Sequence, residues 1–268
     1  MNKPEIIAEI GWNHQGDMTL AKKMIKAAKS SGADYAKFQT WSVKRLKKGE
    51  WDNDGRREIY KKAELTKDNH IELIKTCNQE NINFLSSVFS VDDAKMLVEL
   101  KVKRVKIPSF ESRNIELIDY CFSNFEHIYV STGTSSLDEI SKLFKSKDSN
   151  KFTLLHCVSS YPCEYENANL PKMFKIQEEY GKAGYSDHIL GVESAKIAFL
   201  KGATVIEKHF TIDKKLPGRD NEFSILPEEM KNLSDFIKNC NLMLNDHGSG
   251  FQNIELNQRQ NYSGRFNG

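Results

Sequence analysis

Gly184-Tyr185-Ser186-Asp187-His188 and Glu207-Lys208-His209-Phe210 each close a short apolar or β-prone run with a histidine. Residues 192–201, between them, space their apolar side chains as a helix does. The order is strand, helix, strand. In a parallel α/β sheet the carboxyl ends of neighbouring strands lie side by side, so both imidazoles can converge on one point. Two imidazoles there, with Asp187 and Glu207 nearby, can hold a divalent metal with coordination positions open for substrate. Taken singly, either histidine is more simply a polar strand cap; the pairing points to a metal.

Outward from this stretch the same unit repeats. A strand over Ile6 to Ile10 runs into Glu9, Gly11 and the turn Asn13-His14-Gln15-Gly16, and Asp17 is placed to cap a helix through Leu20, Met24, Ile25 and Ala28. Tyr35-Ala36-Lys37-Phe38-Gln39 puts Tyr35, Lys37 and Gln39 on one face of a second strand. Residues 41–65 show no periodicity and are expected as an irregular segment, either a lid or a surface excursion. Thr66 opens the next helix, and strands follow at 82–88, 104–108, 127–131 and 152–157, with helices at 92–100, around 115–118, after the Ser136/Glu139 capping box, and at 171–180. A last helix is expected at 227–244 and a polar tail over 245–268. Eight strands alternating with eight helices, without hairpin signals, predict a (β/α)8 TIM barrel of α/β class as a single domain over 1–244; an open doubly wound sheet is second choice.

A chain of 268 residues suits one barrel, which takes about 250. Its 39 Lys plus Arg against 37 Asp plus Glu leave a net charge of +2, which excludes a global attraction to nucleic acid or an anionic membrane. Any anion site must be local. Five cysteines include no C-x-x-C pair, and the amino terminus lacks a signal-peptide apolar region, so reduced thiols in the cytoplasm are expected.

The strand ends carry Glu9, Lys37, Gln39, Ser86, Ser87, Lys106, Ser109, Ser131, Thr132, His156, Ser159, Ser186, His188, Glu207 and His209. Packing does not require such a set. In a barrel the active site forms at this end. Two lysines among hydroxyls suit a phosphorylated or carboxylated substrate, because ammonium groups neutralise the anion and hydroxyls complete its hydrogen bonds. No G-x-G-x-x-G or P-loop run is present, which disfavours a nucleotide cofactor.

Ala8-Glu9-Ile10-Gly11-Trp12-Asn13-His14-Gln15-Gly16, Ala36-Lys37-Phe38-Gln39-Thr40, Val130-Ser131-Thr132-Gly133, Leu155-His156-Cys157 and the two opening stretches, extended from Val205 to Thr211, resemble the sialic acid synthase family over nearly the whole chain. The resemblance implies condensation of phosphoenolpyruvate with an N-acetylated amino-sugar aldehyde to give a nonulosonic acid. It implies His188 and His209 as metal ligands, with manganese the usual ion and magnesium an alternative. It further implies Lys37, Lys106, Ser87, Ser109, Ser131 and Ser186 around phosphoenolpyruvate, and Glu9, Glu111, Tyr161 and Asp220 near the sugar or the reacting carbons. Gln39 and Ser159 join the substrate-binding set. Phe110, Ser87-Val88 and Arg219 depart from the family's usual residues. The chain also ends before the family's small antifreeze-like domain, so a homodimer or a separately encoded domain of that kind is an expected partner. Two other readings remain at this level: a Schiff-base aldolase using Lys37 or Lys106, and a non-catalytic sugar-phosphate-binding barrel.

Overall fold

The computed structural model describes residues 3–266. Eight parallel strands among them close a barrel in sequence order: β1 (Glu5–Gly11), β2 (Tyr35–Thr40), β3 (Asn83–Val88), β4 (Arg104–Ile107), β5 (His127–Ser131), β6 (Phe152–Cys157), β7 (Gly184–Asp187) and β8 (Val205–His209), with β8 paired back onto β1. The connecting helices are α1 (Met18–Ser30), α2 (Arg56–Ala63), α3 (Lys67–Gln79), α4 (Val91–Glu99), α5 (Ile115–Asn124), α6 (Leu137–Phe144), α7 (Pro171–Tyr180), α8 (Glu193–Leu200), α9 (Arg219–Phe223) and α10 (Pro227–Met243). A short α11 (Leu256–Tyr262) lies in the tail, where the sequence shows only polar composition. The TIM barrel expected from the repeat is the fold.

Local chemistry explains the boundaries. Asp17 accepts from the N–H groups of Thr19 and Leu20 to start α1, whose Ala21, Met24, Ile25 and Ala28 form one buried stripe. Thr66 and Ser136 cap α3 and α6 through capping boxes. The outward faces of the strands, with Ile6, Ala8, Ala36, Phe38, Val105, Val130 and Ile206, pack on these helices in one continuous core. Each large side chain fully buried there contributes about 1.5–3 kcal/mol.

Residues 41–65 are not irregular throughout. They hold two 3₁₀ turns and α2, which buries only Ala63 and therefore has no apolar stripe to announce it. The segment is anchored instead by aromatic contacts: Tyr60 stacks on Trp12 with ring centroids 5.0 Å apart, and Trp41 Nε1 donates to the Tyr60 carbonyl at 3.2 Å. It folds over the carboxyl ends of the first strands.

Inside the barrel, side chains stack in layers drawn from alternate strands. Ile7, Tyr35, Leu85, Tyr129, Leu155 and Val205 fill the lower part. Arg104 on β4 holds the Tyr35 and Tyr129 hydroxyls and Glu5 at this level, and β7 contributes Gly184, where a Cβ would sit 2.9 Å from Leu155 Cγ and Val205 Cβ. Two residues further along each strand, alternation brings Lys37, Lys106, Cys157 and Glu207 inward from the even-numbered strands and Glu9, Ser87, Ser131 and Ser186 from the odd. Each of these is buried. The core therefore changes from apolar to ionic within one turn of the pleat. Among the described residues no helix is long and apolar enough to cross a membrane.

Candidate active site

The ionic layer is a closed set of two lysines and two carboxylates. Lys37 Nζ lies 2.6 Å from Glu9 Oε2, donates to Ser87 Oγ at 3.0 Å and is 3.7 Å from Glu207 Oε2. Lys106 Nζ donates to both oxygens of Glu207, at 2.9 and 3.1 Å, and Ser186 Oγ donates to Glu207 Oε1 at 3.0 Å. Gln39 Nε2 donates to Glu9 Oε1 at 2.5 Å. Charges in so dry a place persist because each is paired.

Their protonation follows from those partners. Burial works against the charged form of Glu207, but Lys106 and Lys37 outweigh it and hold the carboxyl down at about 2. Burial also opposes the Lys37 ammonium, yet Glu207 and Glu9 raise it above the ordinary lysine value. Lys106 is lowered, by burial first and by repulsion from Lys37, against the pull of Glu207. Glu9 is raised by burial and by Glu207, against Lys37.

Beside the lysines is a cradle of hydroxyls. Gly133 N–H donates to Ser109 Oγ at 3.1 Å, and a Cβ at Gly133 would overlap the Ser159 and Ser109 hydroxyls. The hydroxyl oxygens of Ser131 and Ser159 are buried without a hydrogen-bond partner among the described residues. Buried polar atoms without partners are costly, and an anion's oxygens would satisfy both. Ser109 Oγ also donates to Cys157 Sγ at 3.4 Å, and Cys157 Sγ is 3.8 Å from His188 Nδ1. Burial raises that thiol, but His188 and the Ser109 hydrogen bond outweigh it and bring it to about 7.

The two imidazoles meet, as the strand order predicts, with ring centroids 5.4 Å apart. His188 Nδ1 donates to the Val158 carbonyl at 2.8 Å, which leaves Nε2 as the free lone pair. His209 is buried, its Nδ1 lacks a hydrogen-bond partner, and burial together with the His188 charge keeps the ring neutral. Burial opposes protonation of His188, but the neighbouring Cys157 outweighs it and raises the imidazole above its ordinary value. Two orientated imidazoles with an unpartnered nitrogen fit a divalent ion. Among the described residues no third His, Cys, Asp or Glu completes a ready ligand cluster.

The rim completes the pocket. The Tyr161 ring, 45% exposed, lies 4.2 Å from the His188 ring and 5.7 Å from Phe223. Asp220 Oδ2 lies 3.5 Å from His209 Nδ1. Burial pushes the Asp220 carboxyl up to about 7, against the opposing pull of the Trp12 indole N–H. Trp12 and Tyr60 extend this wall.

Several expected residues stand elsewhere. Asp187 and Glu207 do not join the imidazoles: Asp187 points outward and binds Lys208 and Ser194, while Glu207 is committed to the lysines. Ser86 and His156 also face outward, Ser86 to Thr40 and His156 to the Ala168 carbonyl. Glu111 is half-buried in a 3₁₀ turn after β4, where it accepts from Asn114 at 2.9 Å rather than from the ionic layer. Phe110 beside it is 63% exposed. Cys157 stands outside the strand-end set read from the sequence, although the period of two that places Leu155 inside places Cys157 inside and His156 out. Trp12 and Tyr60 carry no comparable signal.

The NeuB family model matches residues 24–249. The chain is 39% identical to the N,N'-diacetyllegionaminic acid synthase of Legionella pneumophila, over 91% of this chain and 73% of that protein. It is 34% identical to the pseudaminic acid synthase of Helicobacter pylori, over 92% of this chain and 77% of the relative. In structure it resembles the N-acetylneuraminic acid synthetase of Leptospira borgpetersenii, with a TM-score of 0.85 at 35% identity, covering 97% of this chain and 91% of that one. With its barrel, its strand-end residues and these likenesses taken together, the chain belongs to the NeuB family.

Proposed function

We propose that this chain is an enzyme that condenses phosphoenolpyruvate with an N-acetylated amino-sugar aldehyde to give a nonulosonic acid and phosphate. The observation that carries the reading is the placement of Lys37 and Lys106 beside the unpartnered hydroxyls of Ser131 and Ser159, next to a pair of imidazoles. An anion with a carboxylate and a phosphate suits the first group. His188 and His209 would hold one divalent ion, Mn2+ or Mg2+, which when bound supplies Lewis-acid polarisation of a carbonyl oxygen.

The chain's own residues supply the rest. Lys37 and Lys106 bind the carboxylate and phosphate, and the serines fix their orientation, so that the methylene carbon of phosphoenolpyruvate faces the aldehyde. Such positioning is worth up to roughly 7–11 kcal/mol. As the carbon–carbon bond forms, the electron pair comes from the enol double bond and positive charge develops at the carbon bearing the phosphate oxygen. Asp220, with its raised carboxyl at the rim, is placed to deliver a proton to the former aldehyde oxygen. Glu9, raised and held by Gln39 and Lys37, is placed to take a proton from the water that adds to the cationic carbon. Glu207 is the counterion of both lysines and raises Lys37 above the ordinary lysine value.

Phosphate release from phosphoenolpyruvate, followed across a panel of amino-sugar acceptors with added Mn2+, tests the reading. Release with at least one acceptor, lost on chelation and restored by Mn2+, is expected. Release without any acceptor, or none with all of them, overturns it. Lys106, lowered by burial, keeps a Schiff-base aldolase as a second reading. Borohydride reduction with substrate separates the two, and no covalent adduct is expected while Lys106 remains bonded to Glu207. Cytoplasmic location belongs to the same proposal and is supported by five cysteines that are all free thiols.

A further inference from the structure

The residues that precede the two histidines, Asp187 and Lys208, lie directly opposite each other on β7 and β8 and point away from the cavity. Both are almost fully buried, with side chains 0% and 2% exposed, and Lys208 Nζ donates to Asp187 Oδ2 at 3.1 Å. The rest of the arrangement encloses the backbone that follows His188. Ile189 N–H donates to Asp187 Oδ1 at 2.9 Å, and Lys208 Nζ donates to the Ile189 carbonyl at 2.5 Å. Ser194, in the first turn of α8, donates to Asp187 Oδ2 at 2.6 Å. The His188 carbonyl accepts from Cys163 N–H at 3.0 Å, and the His209 carbonyl accepts from Ile225 N–H at 2.8 Å.

We propose that the Asp187–Lys208 pair is a positioning clasp that presets the separation and aim of the His188 and His209 rings for one divalent cation. The inference rests on the reading that these imidazoles hold such an ion. Its physical content is that each histidine is tied to the other through the side chain of its own preceding residue. A shift of either strand end then breaks an ion pair that has no water to replace it. The inward pair on the same strands, Ser186 and Glu207, serves the lysines instead. Losing the clasp should therefore loosen metal binding without disturbing the anion site.

The test measures Mn2+ affinity by electron paramagnetic resonance of free Mn2+, and phosphoenolpyruvate affinity by calorimetry, on the same protein. Lys208→Met and Asp187→Asn are each expected to weaken Mn2+ binding by about 10–100-fold, the usual effect of removing a group that orients a ligand. Phosphoenolpyruvate affinity should change less than about twofold. Removing one half of a buried pair can prevent folding, so Ser194→Ala, which trims a single hydrogen bond from the clasp, is the second variant. It is expected to give a smaller loss in the same direction. A Ser194→Ala protein that binds Mn2+ as the unmodified protein does, or variants that lose both affinities in parallel, overturns the clasp alone. Unmodified protein that takes up no Mn2+ overturns the metal reading and the clasp with it.

Discussion

Lys106 and Glu207, carried by β4 and β8 on opposite sides of the barrel, meet through two hydrogen bonds of 2.9 and 3.1 Å, both side chains almost fully buried. Glu207 also lies 3.7 Å from Lys37, so one carboxylate governs the charge of both lysines. Burial works against the Lys106 ammonium, and Glu207 is the group that opposes that loss.

Glu207→Gln keeps the shape and removes that control. Lys106 then loses the charge that raises it, and its ammonium should give up its proton at lower pH. Phosphoenolpyruvate binding is expected to fail on the alkaline side at least one pH unit earlier than in the unmodified protein. Stability should fall by roughly 3–5 kcal/mol, the cost of breaking a buried pair. Calorimetric titration across pH and urea unfolding measure the two effects. An unchanged alkaline limit would remove Glu207 from its role as counterion.

Asp220 predicts a stability change of definite sign. Its carboxyl is raised from 3.8 to about 7 by burial, so between those values the folded protein holds a proton that the unfolded chain has released. The contribution to stability is fully present below about pH 4 and is lost as pH rises through about 7. Asp220→Asn abolishes that titration. In metal-free protein, the unmodified chain should lose on the order of 2–4 kcal/mol relative to Asp220→Asn between pH 4 and 8. Parallel urea-unfolding free energies over that range would contradict the burial of a neutral acid at this position.

Gly133 tests the hydroxyl cradle. Adding a methyl group there drives it into the hydroxyls of Ser159 and Ser109, so both must shift. Overpacking of this kind costs about 1–3 kcal/mol of stability. Gly133→Ala is expected to weaken phosphoenolpyruvate binding at least tenfold, measured by calorimetry at one pH. An affinity within twofold of the unmodified protein would place the anion away from this loop.

Much of the fold was legible because its signals are local. Asp17, Thr66 and Ser136 announce helix starts, and the strand, helix, strand order around His188 and His209 announces parallel pairing. The site was legible to the extent that period-two alternation applies. Glu9, Lys37, Lys106, Ser131 and Glu207 all turn inward at the same height. What the sequence did not disclose is which neighbour each group chooses. Glu207 stands close enough in sequence to His209 to suggest a metal role, and only the closure of β8 onto β1 and the reach of Lys106 across the barrel assign it to the lysines. The helix Arg56–Ala63 escaped for a different reason, since its anchor is Trp12, far away in the chain, rather than a stripe of its own.

The bond that breaks distinguishes the proposed chemistry from simple phosphate transfer. Lys37 and Lys106 share one buried layer with Glu9, and in the proposed mechanism the water that Glu9 deprotonates adds at the carbon that bears the phosphate, not at phosphorus. Addition there creates a tetrahedral carbon carrying both a hydroxyl and the phosphate oxygen. Its collapse returns an electron pair to the carbonyl being formed and expels phosphate with the bridging oxygen attached, so the carbon–oxygen bond is the one that breaks. Phosphoenolpyruvate labelled with heavy oxygen at the bridging position should therefore deliver the label to inorganic phosphate, read by mass spectrometry or by the isotope shift of the phosphorus resonance. Retention of the label in the sugar acid would mean cleavage between phosphorus and oxygen, and the role given to Glu9 would have to be withdrawn.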